Sequence, residues 1–273
     1  MNAPQPTVRR LLIDLGTPFA RHWNGGDAFR TAWFNALSMS FPLGEQFFID
    51  SVRAGLALLP EAERERFAGE VRGFVGQEAT HRRIHALFNA QLARQGHVNA
   101  WETRIRRRLE RLAGAHPRHA VAITAATEHF TAILAEHLLQ RPQVLDGAEP
   151  RLRTLWLWHA AEESEHRATA FDLYRALAGN ERWRRRWFLI VSWHFVADAL
   201  RQTARNLAQD GALWRVSTWR SAASFFFGRD GLVRHTFGPW RRYLSARFHP
   251  LQQGGEAGMQ WLKGNTEQYA SLP

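Results

Sequence analysis

Three observations predict an all-α chain: apolar residues recur at helical spacing from Asp27 to about Leu213, no segment shows sustained period-2 alternation, and no unit repeats along the chain. With 273 residues, 45% of them apolar, the chain can bury one core of about 200 to 250 residues with tails. The expected organisation is an N-terminal segment over 1–26, a helical bundle over 27–210 and a C-terminal extension over 211–273 packed on it, ending in a flexible tail.

A first helical segment is expected over Ala28 to Ser38, interrupted by Pro42 and Gly44 before the apolar pattern resumes from Glu45 to Leu59. Pro60 followed by Glu61, Glu63 and Glu65 reads as a helix start, with proline in the first turn and acids beside the positive end of the dipole. That helix should run to about Gln95 and stop at Gly96. A basic amphipathic piece follows over Ala100 to Ala113, then a helix over about Arg118 to Leu139. Pro142, Gly147 and Pro150 mark a connection, after which Arg151 to Leu177 is expected as one helix closed by Gly179-Asn180, with another running to about Ala208. Beyond Asp210 the chain is aromatic-rich, is punctuated by Gly228, Gly231, Gly238 and Pro239, and carries no element assignment.

Composition removes whole classes of chemistry. With no cysteine, disulfides, thiolate zinc sites, iron–sulfur clusters and thiol nucleophiles are excluded, so any metal must be held by His, Asp or Glu. The charge of +11 invites a nucleic-acid reading, yet 35 of the 36 basic residues are arginine and they read as scattered, so no nucleic-acid partner is expected. Met1 to Pro6 is short and polar and Leu11 to Leu15 is brief for a signal segment, so a cytoplasmic protein is expected. The apolar stretch from Trp187 to Leu200, preceded by arginines at 184, 185 and 186, falls short of the ~20 residues of a membrane span. It reads as a buried core helix, with peripheral membrane contact through 187–200 as the lesser reading.

Four of the helices each carry an acid in an apolar setting: Glu45, Glu78, Glu128 and Glu163. A lone buried carboxylate is costly, so an acid on a core-facing stripe calls for a cation. Two of the four head Glu-x-x-His pairs, Glu78 with His81 and Glu163 with His166, and at i, i+3 both side chains leave one helix face. The pair alone says little, since 17 Glu and 13 His in this length give roughly 0.8 such pairs by chance. Register says more. Glu45 lies 15 residues before Pro60 and Glu78 lies 18 after it, so at ~1.5 Å per residue both sit ~22 to 27 Å from one turn. Glu128 and Glu163 are similarly level about the 142–150 connection. Two facing hairpins would then bring four carboxylates and two histidines into one layer.

That arrangement resembles the di-metal site of ferritin-like bundles. The phrases Phe41-Pro-Leu-Gly-Glu45, Phe74-Val-Gly-Gln-Glu-Ala-Thr-His81 with His85, and Trp158-His-Ala-Ala-Glu-Glu-Ser-Glu-His166 ending Phe171-Asp-Leu-Tyr174 resemble the bacterial family of predicted metal-dependent hydrolases, over about Asp27 to Leu244. The resemblance implies a ferritin-like four-helix core with added helices and an aromatic-rich C-terminal extension. Carried over by position, it makes Glu45, Glu78, His81, Glu128, Glu163 and His166 the metal ligands. Glu45, close behind Pro42, is expected near a helix start or a kink. His85 and His159, each one turn from a ligand, are expected as extra ligands or as partners behind the ligands, and Asp172 and Tyr174 as further partners. The plainer alternatives are a buried Glu78 paired with Arg82 or Arg83, a solvated acidic run around Glu162, Glu163 and Glu165, and a surface Glu128.

An oxygen-rich layer of this kind suits two metal ions, iron first and manganese or zinc after it. The first functional expectation is an oxygen-dependent di-iron oxidoreductase acting on a small, lipophilic substrate, with dioxygen as co-substrate. The alternative is a two-metal hydrolase that activates a bridging water, and a third is a non-catalytic iron-binding bundle. An apolar tunnel reaching the carboxylate layer would favour oxidation of a lipophilic molecule, a wide polar cleft hydrolysis, and a shell-forming assembly storage. A homodimer is left open.

Overall fold

The computed structural model describes residues 5–272. The frame is set by α1 (Ala28–Ala57), whose first turn is capped by Asp27, the side chain accepting from the Arg30 amide at 2.9 Å. The expected break at Pro42 does not occur, and α1 runs through it, so Glu45 stands mid-helix one turn further on. The reason is tertiary. Proline leaves the Ser38 carbonyl without its helical donor, and Asn89 Nδ2 donates to that oxygen at 2.9 Å; Asn99 Nδ2 serves the next carbonyl, Met39, at 2.7 Å.

After Pro60, α2 (Glu61–Arg94) begins with two acids in its first turn and stops at Gly96, whose φ of +88° suits glycine. The short α3 (Ala100–Leu112) buries only Trp101, while α4 (Pro117–Gln140) lies in the core. The expected helix over Arg151 to Leu177 is two, α5 (Pro150–His166) and α6 (Thr169–Ala176). No proline or glycine causes the break. The Arg167 guanidinium takes the Ser164 carbonyl, the acceptor that continuation of the helix would require, and reaches Gly254 O at 3.1 Å.

The unassigned C-terminal stretch is largely helical. It follows α7 (Glu181–Gln209) with α8 (Val216–Phe227), α9 (Leu232–Arg242) and α10 (Glu256–Gly264). Gly254-Gly255 therefore leads into α10 and then into β2 (Tyr269–Ser271), rather than into a loose end. Against expectation there is a strand pair: β2 runs antiparallel to β1 (Arg9–Leu11), with Arg10 opposite Ala270. Three-residue strands are too short to show a period in sequence. The chain before α1 crosses α2, where a Cβ on Gly76 would stand 2.3 Å from Val8 Cγ2, so only glycine admits it. Gln91 Nε2 fixes the same segment through the Leu15 and Gly16 carbonyls at 2.8 and 2.9 Å.

Helices α1, α2, α4 and α5 form a four-helix core, α1 packing on α2 and α4, and α4 on α5. Two apolar clusters fill it. One gathers Phe34, Leu37, Phe88, Leu155 and Trp158; the other gathers Phe48, Phe74, Val121, Ala125 and Phe171. On α1 the first cluster ends at Met39 and the second begins at Phe48, and on α2 they meet between Phe74 and Ile84. Glu45, Glu78 and His81 fall in that gap. Helix α7, expected as a buried core helix, is amphipathic: Phe188, Ser192, Asp198 and Ala199 are buried, whereas Leu189, Trp193, Val196 and Leu200 are exposed. Among the described residues, no helix is long and apolar enough to cross a membrane.

Candidate metal centre

Between the two apolar clusters the four helices converge on one polar layer. Glu45 from α1, Glu78 and His81 from α2, Glu128 from α4, and Glu163 and His166 from α5 are all buried, none more than 5% exposed. This removes the plainer alternatives: Glu128 is not at the surface, Glu163 is not solvated, and His166 rather than Arg82 or Arg83 stands beside Glu78. His166 Nε2 lies 3.1 Å from Glu78 Oε1, 3.2 Å from Glu128 Oε2 and 3.5 Å from Glu163 Oε1. His81 Nδ1 lies 3.6 Å from Glu163 Oε1.

Donor atoms within 4.8 Å of one another fall into groups that could each hold a cation. Glu78, Glu128 and His166 form one; Glu45, Glu78 and His81 form the next, sharing Glu78. His159 adds two more, with His81 and Glu163 and with Glu45 and His85. The structure thus brings His85 and His159 into the layer. His159 Nε2 meets Glu163 Oε1 at 3.0 Å, and its Nδ1 meets His85 Nε2 at 2.6 Å, while Ser38 Oγ lies 2.9 Å from His85 Nδ1. Asp172 and Tyr174, expected as further partners, stay outside. Asp172 pairs with His249 at 2.8 Å, and the Tyr174 hydroxyl donates to Asn180 O at 2.9 Å.

Each Glu-x-x-His histidine is anchored through one nitrogen. His81 Nε2 donates to Glu162 Oε2 at 2.9 Å, and His166 Nδ1 donates to Gln77 Oε1 at 2.8 Å. This leaves His81 Nδ1 and His166 Nε2 turned into the layer. Glu162, which the sequence offers as a replacement for Glu163 but without a histidine three residues on, instead holds His81 from behind. Sequence reasoning missed Arg9 and Gln77. Arg9 Nη1 reaches Glu162 at 3.2 Å and Glu165 at 2.6 Å, and Gln77 Nε2 donates to Glu165 at 2.7 Å. Arg9 sits on β1, about 150 residues upstream of the acids it holds, and nothing local in the sequence marks it.

The electrostatics show a layer short of positive charge. Burial, then the charges of Glu78, Glu163 and Glu128, pushes Glu45 well above the ordinary carboxyl range. Burial raises Glu78 despite the neighbouring His166, and lifts Glu128 to about 8. For His166 burial pulls down, yet Glu128 and Glu163 outweigh it and hold the ring well above its usual value. Glu163 is the reverse: burial pushes it up, but His166 and His159 carry it well below. Burial and the neighbouring His159 press His81 and His85 well down.

The donor set fits metal. Apart from the ion pairs that His166 makes with Glu78, Glu128 and Glu163, both carboxylate oxygens of Glu45, Glu78 and Glu128, one of Glu163, His81 Nδ1 and His166 Nε2 are buried without a hydrogen-bond partner. Native proteins rarely strand buried polar atoms, and here the stranded atoms share one layer. Divalent cations would satisfy them all.

A cavity of about 320 Å³ reaches the layer at Glu45. Phe41, Phe48, Trp101, Ile105, Ile123 and Phe195 make it largely apolar, with Thr127, Thr131, Arg108, Arg111 and His194 as its polar groups. A smaller one of about 60 Å³ touches His159 and Glu163 from the other side of Phe41.

No curated protein and no solved structure matches the chain. The family model for predicted metal-dependent hydrolases matches residues 7–254, which takes in both β1 with its Arg9 and every residue of the polar layer. The chain belongs to the family of predicted metal-dependent hydrolases.

Proposed function

We propose that the protein is a two-cation carboxylate enzyme, built on a ferritin-like plan, that oxidises a small lipophilic molecule with dioxygen. Glu78, Glu128 and His166 would hold one cation and Glu45, Glu78 and His81 the other, with Glu163 between the ends. The observation that carries this reading is the set of stranded carboxylate oxygens and imidazole nitrogens in a single buried layer. Iron suits four carboxylates and two imidazoles, with manganese or zinc as the alternatives. When bound, a redox-active pair supplies two electrons to dioxygen, and a redox-inert pair activates water.

The chain's own contribution is placement and exclusion. Phe41, Phe48 and Phe195 wall the cavity and keep water from its inner end at Glu45. Thr127 and Thr131 both back-bond to their own helix, through the Ile123 and Glu128 carbonyls at 2.9 and 3.1 Å, so the wall offers a substrate few polar contacts. Glu162 and Gln77 hold the two imidazoles in place. His159 bridges Glu163, through Nε2, and His85, through Nδ1, and so links the layer to the imidazole beside Ser38.

Hydrolysis is the second reading, and the family description supports it better than oxidation. The apolar lining is what favours oxidation. Anaerobic purification, metal analysis and loading with Fe(II) separate the two. Oxidation predicts oxygen uptake in proportion to bound iron and a new absorbance band, both lost in Glu78→Gln. A protein that takes up zinc, consumes no oxygen and cleaves lipophilic acyl esters would overturn oxidation in favour of hydrolysis.

A further inference from the structure

The outward face of α7 is an exposed apolar feature that the metal centre leaves unused. Leu189, Trp193, Val196 and Leu200 follow at spacings of 4, 3 and 4 residues, which puts them on one stripe. All four are exposed, Trp193 at 71%. Phe237 of α9, exposed at 58%, widens the stripe. Its ring stacks on Trp240 at 5.9 Å, and Trp240 Nε1 donates to the hydroxyl of Ser192, the neighbour of Trp193, at 2.9 Å.

Exposed charge along α7 is of one sign, carried by Arg182, Arg186, Arg201 and Arg205. Residues 182–255 hold 13 arginines against 3 aspartates, so they carry +10 of the chain's +11. Between Arg182 and Gln209 the one acid is Asp198, buried and engaged by Arg104 at 2.6 Å and by Arg108. Arg182 and Arg186, both exposed, extend the stripe toward the start of α7. On the other flank of α7, Trp187, Ile190 and His194 wall the cavity that ends at Glu45.

The geometry points to an anionic lipid surface as the occupant of this face, with an amphiphilic lipid as the substrate that enters the cavity from it. Exposed Trp and Leu side chains insert at the headgroup boundary while arginines meet lipid phosphates. A second copy would set a strongly basic face against itself, and a nucleic acid would leave Leu189, Trp193 and Val196 without apolar partners. The inference rests on the proposed function only in placing the chemistry at the inner end of the cavity.

Vesicle flotation of the full chain tests it, using phosphatidylcholine alone and phosphatidylcholine with an equal part of phosphatidylglycerol. Binding is expected on the mixed vesicles, falling with salt, and little on the neutral ones. Arg182→Gln with Arg186→Gln should weaken it by about 30-fold, each arginine near such a surface counting for about a factor of 5. Leu189→Ser with Trp193→Ser should weaken it too and remove the blue shift of tryptophan emission; both pairs are exposed, and melting curves check folding. Absent or charge-independent binding overturns the inference, as does tighter binding to duplex DNA or a sedimenting dimer that Trp193→Ser dissolves. Metal content measured on the same samples separates the readings. Lost vesicle binding with metal retained sinks this inference alone, and missing metal with binding intact sinks the proposed centre alone.

Discussion

The two ends of the polar layer use the same residue types in opposite proportion. Around His166 stand Glu78, Glu128 and Glu163, and the ring is held charged; around Glu45 stand His81, His85 and His159, two of them pressed toward neutrality. Burial is nearly complete at both ends, so burial does not explain the difference. What decides it is the charge beside each imidazole: Glu128 and Glu163 raise His166, whereas the neighbouring His159 lowers His81 and His85. The comparison teaches that without metal the layer balances itself with one imidazolium at its acid-rich end. A cation loaded there must displace that proton, whereas the histidine-rich end offers neutral nitrogens at once.

Glu78 belongs to both ends, so its loss should have the largest effect. Glu78→Gln is expected to abolish uptake of both cations, read as metal per chain. The metal-free variant should melt no lower than the metal-free parent, because a buried carboxylate whose charged form is disfavoured has been replaced by its neutral isostere. Single-end changes come next. His166→Ala should lose the cation of the acid-rich end and retain the other, and His81→Ala the reverse; loss of both from either variant would break the division into ends.

Smaller effects are expected from the residues behind the ligands. Glu162→Gln weakens the grip on His81 Nε2 and should lower affinity at the histidine-rich end by about 10- to 100-fold, leaving the other end unchanged in a calorimetric titration. The gentlest test is pH. His166, raised when folded, contributes stability to the metal-free protein below its unfolded value near 6.5, and this is lost as pH rises through the folded value. His81 and His85, lowered when folded, act oppositely: stability is lost as pH falls below about 6.5, where the unfolded chain takes up protons that the fold refuses. Ring nitrogen shifts in the metal-free protein should show His166 still protonated above pH 6.5 and His81 still neutral below it.

The convergence of these side chains was legible because it needs few residue types at fixed helical spacing. The turn at Pro60 and the connection around Pro142 to Pro150 set the register that brings Glu45 level with Glu78 and Glu128 level with Glu163. What escaped depends on contacts between distant segments. Pro42 looked like a helix break because its remedy, Asn89 and Asn99, lies on other elements, and the break after His166 is made by an arginine side chain rather than by proline or glycine. The burial of α7 was misjudged because a stripe of Leu, Trp and Val reads the same whether it faces a core or an outside partner. Arg9 and the part Glu162 plays escaped because an ion pair across the fold leaves no period in sequence.

Anomalous diffraction from crystals of the protein soaked in Mn(II) puts the central claim to its most direct test. Two peaks are predicted on either side of Glu78, one within bonding distance of Glu128 and His166 and the other of Glu45 and His81, with neither present in Glu78→Gln. Crystals that show no peak among these side chains, or show manganese only at the surface, would contradict the account.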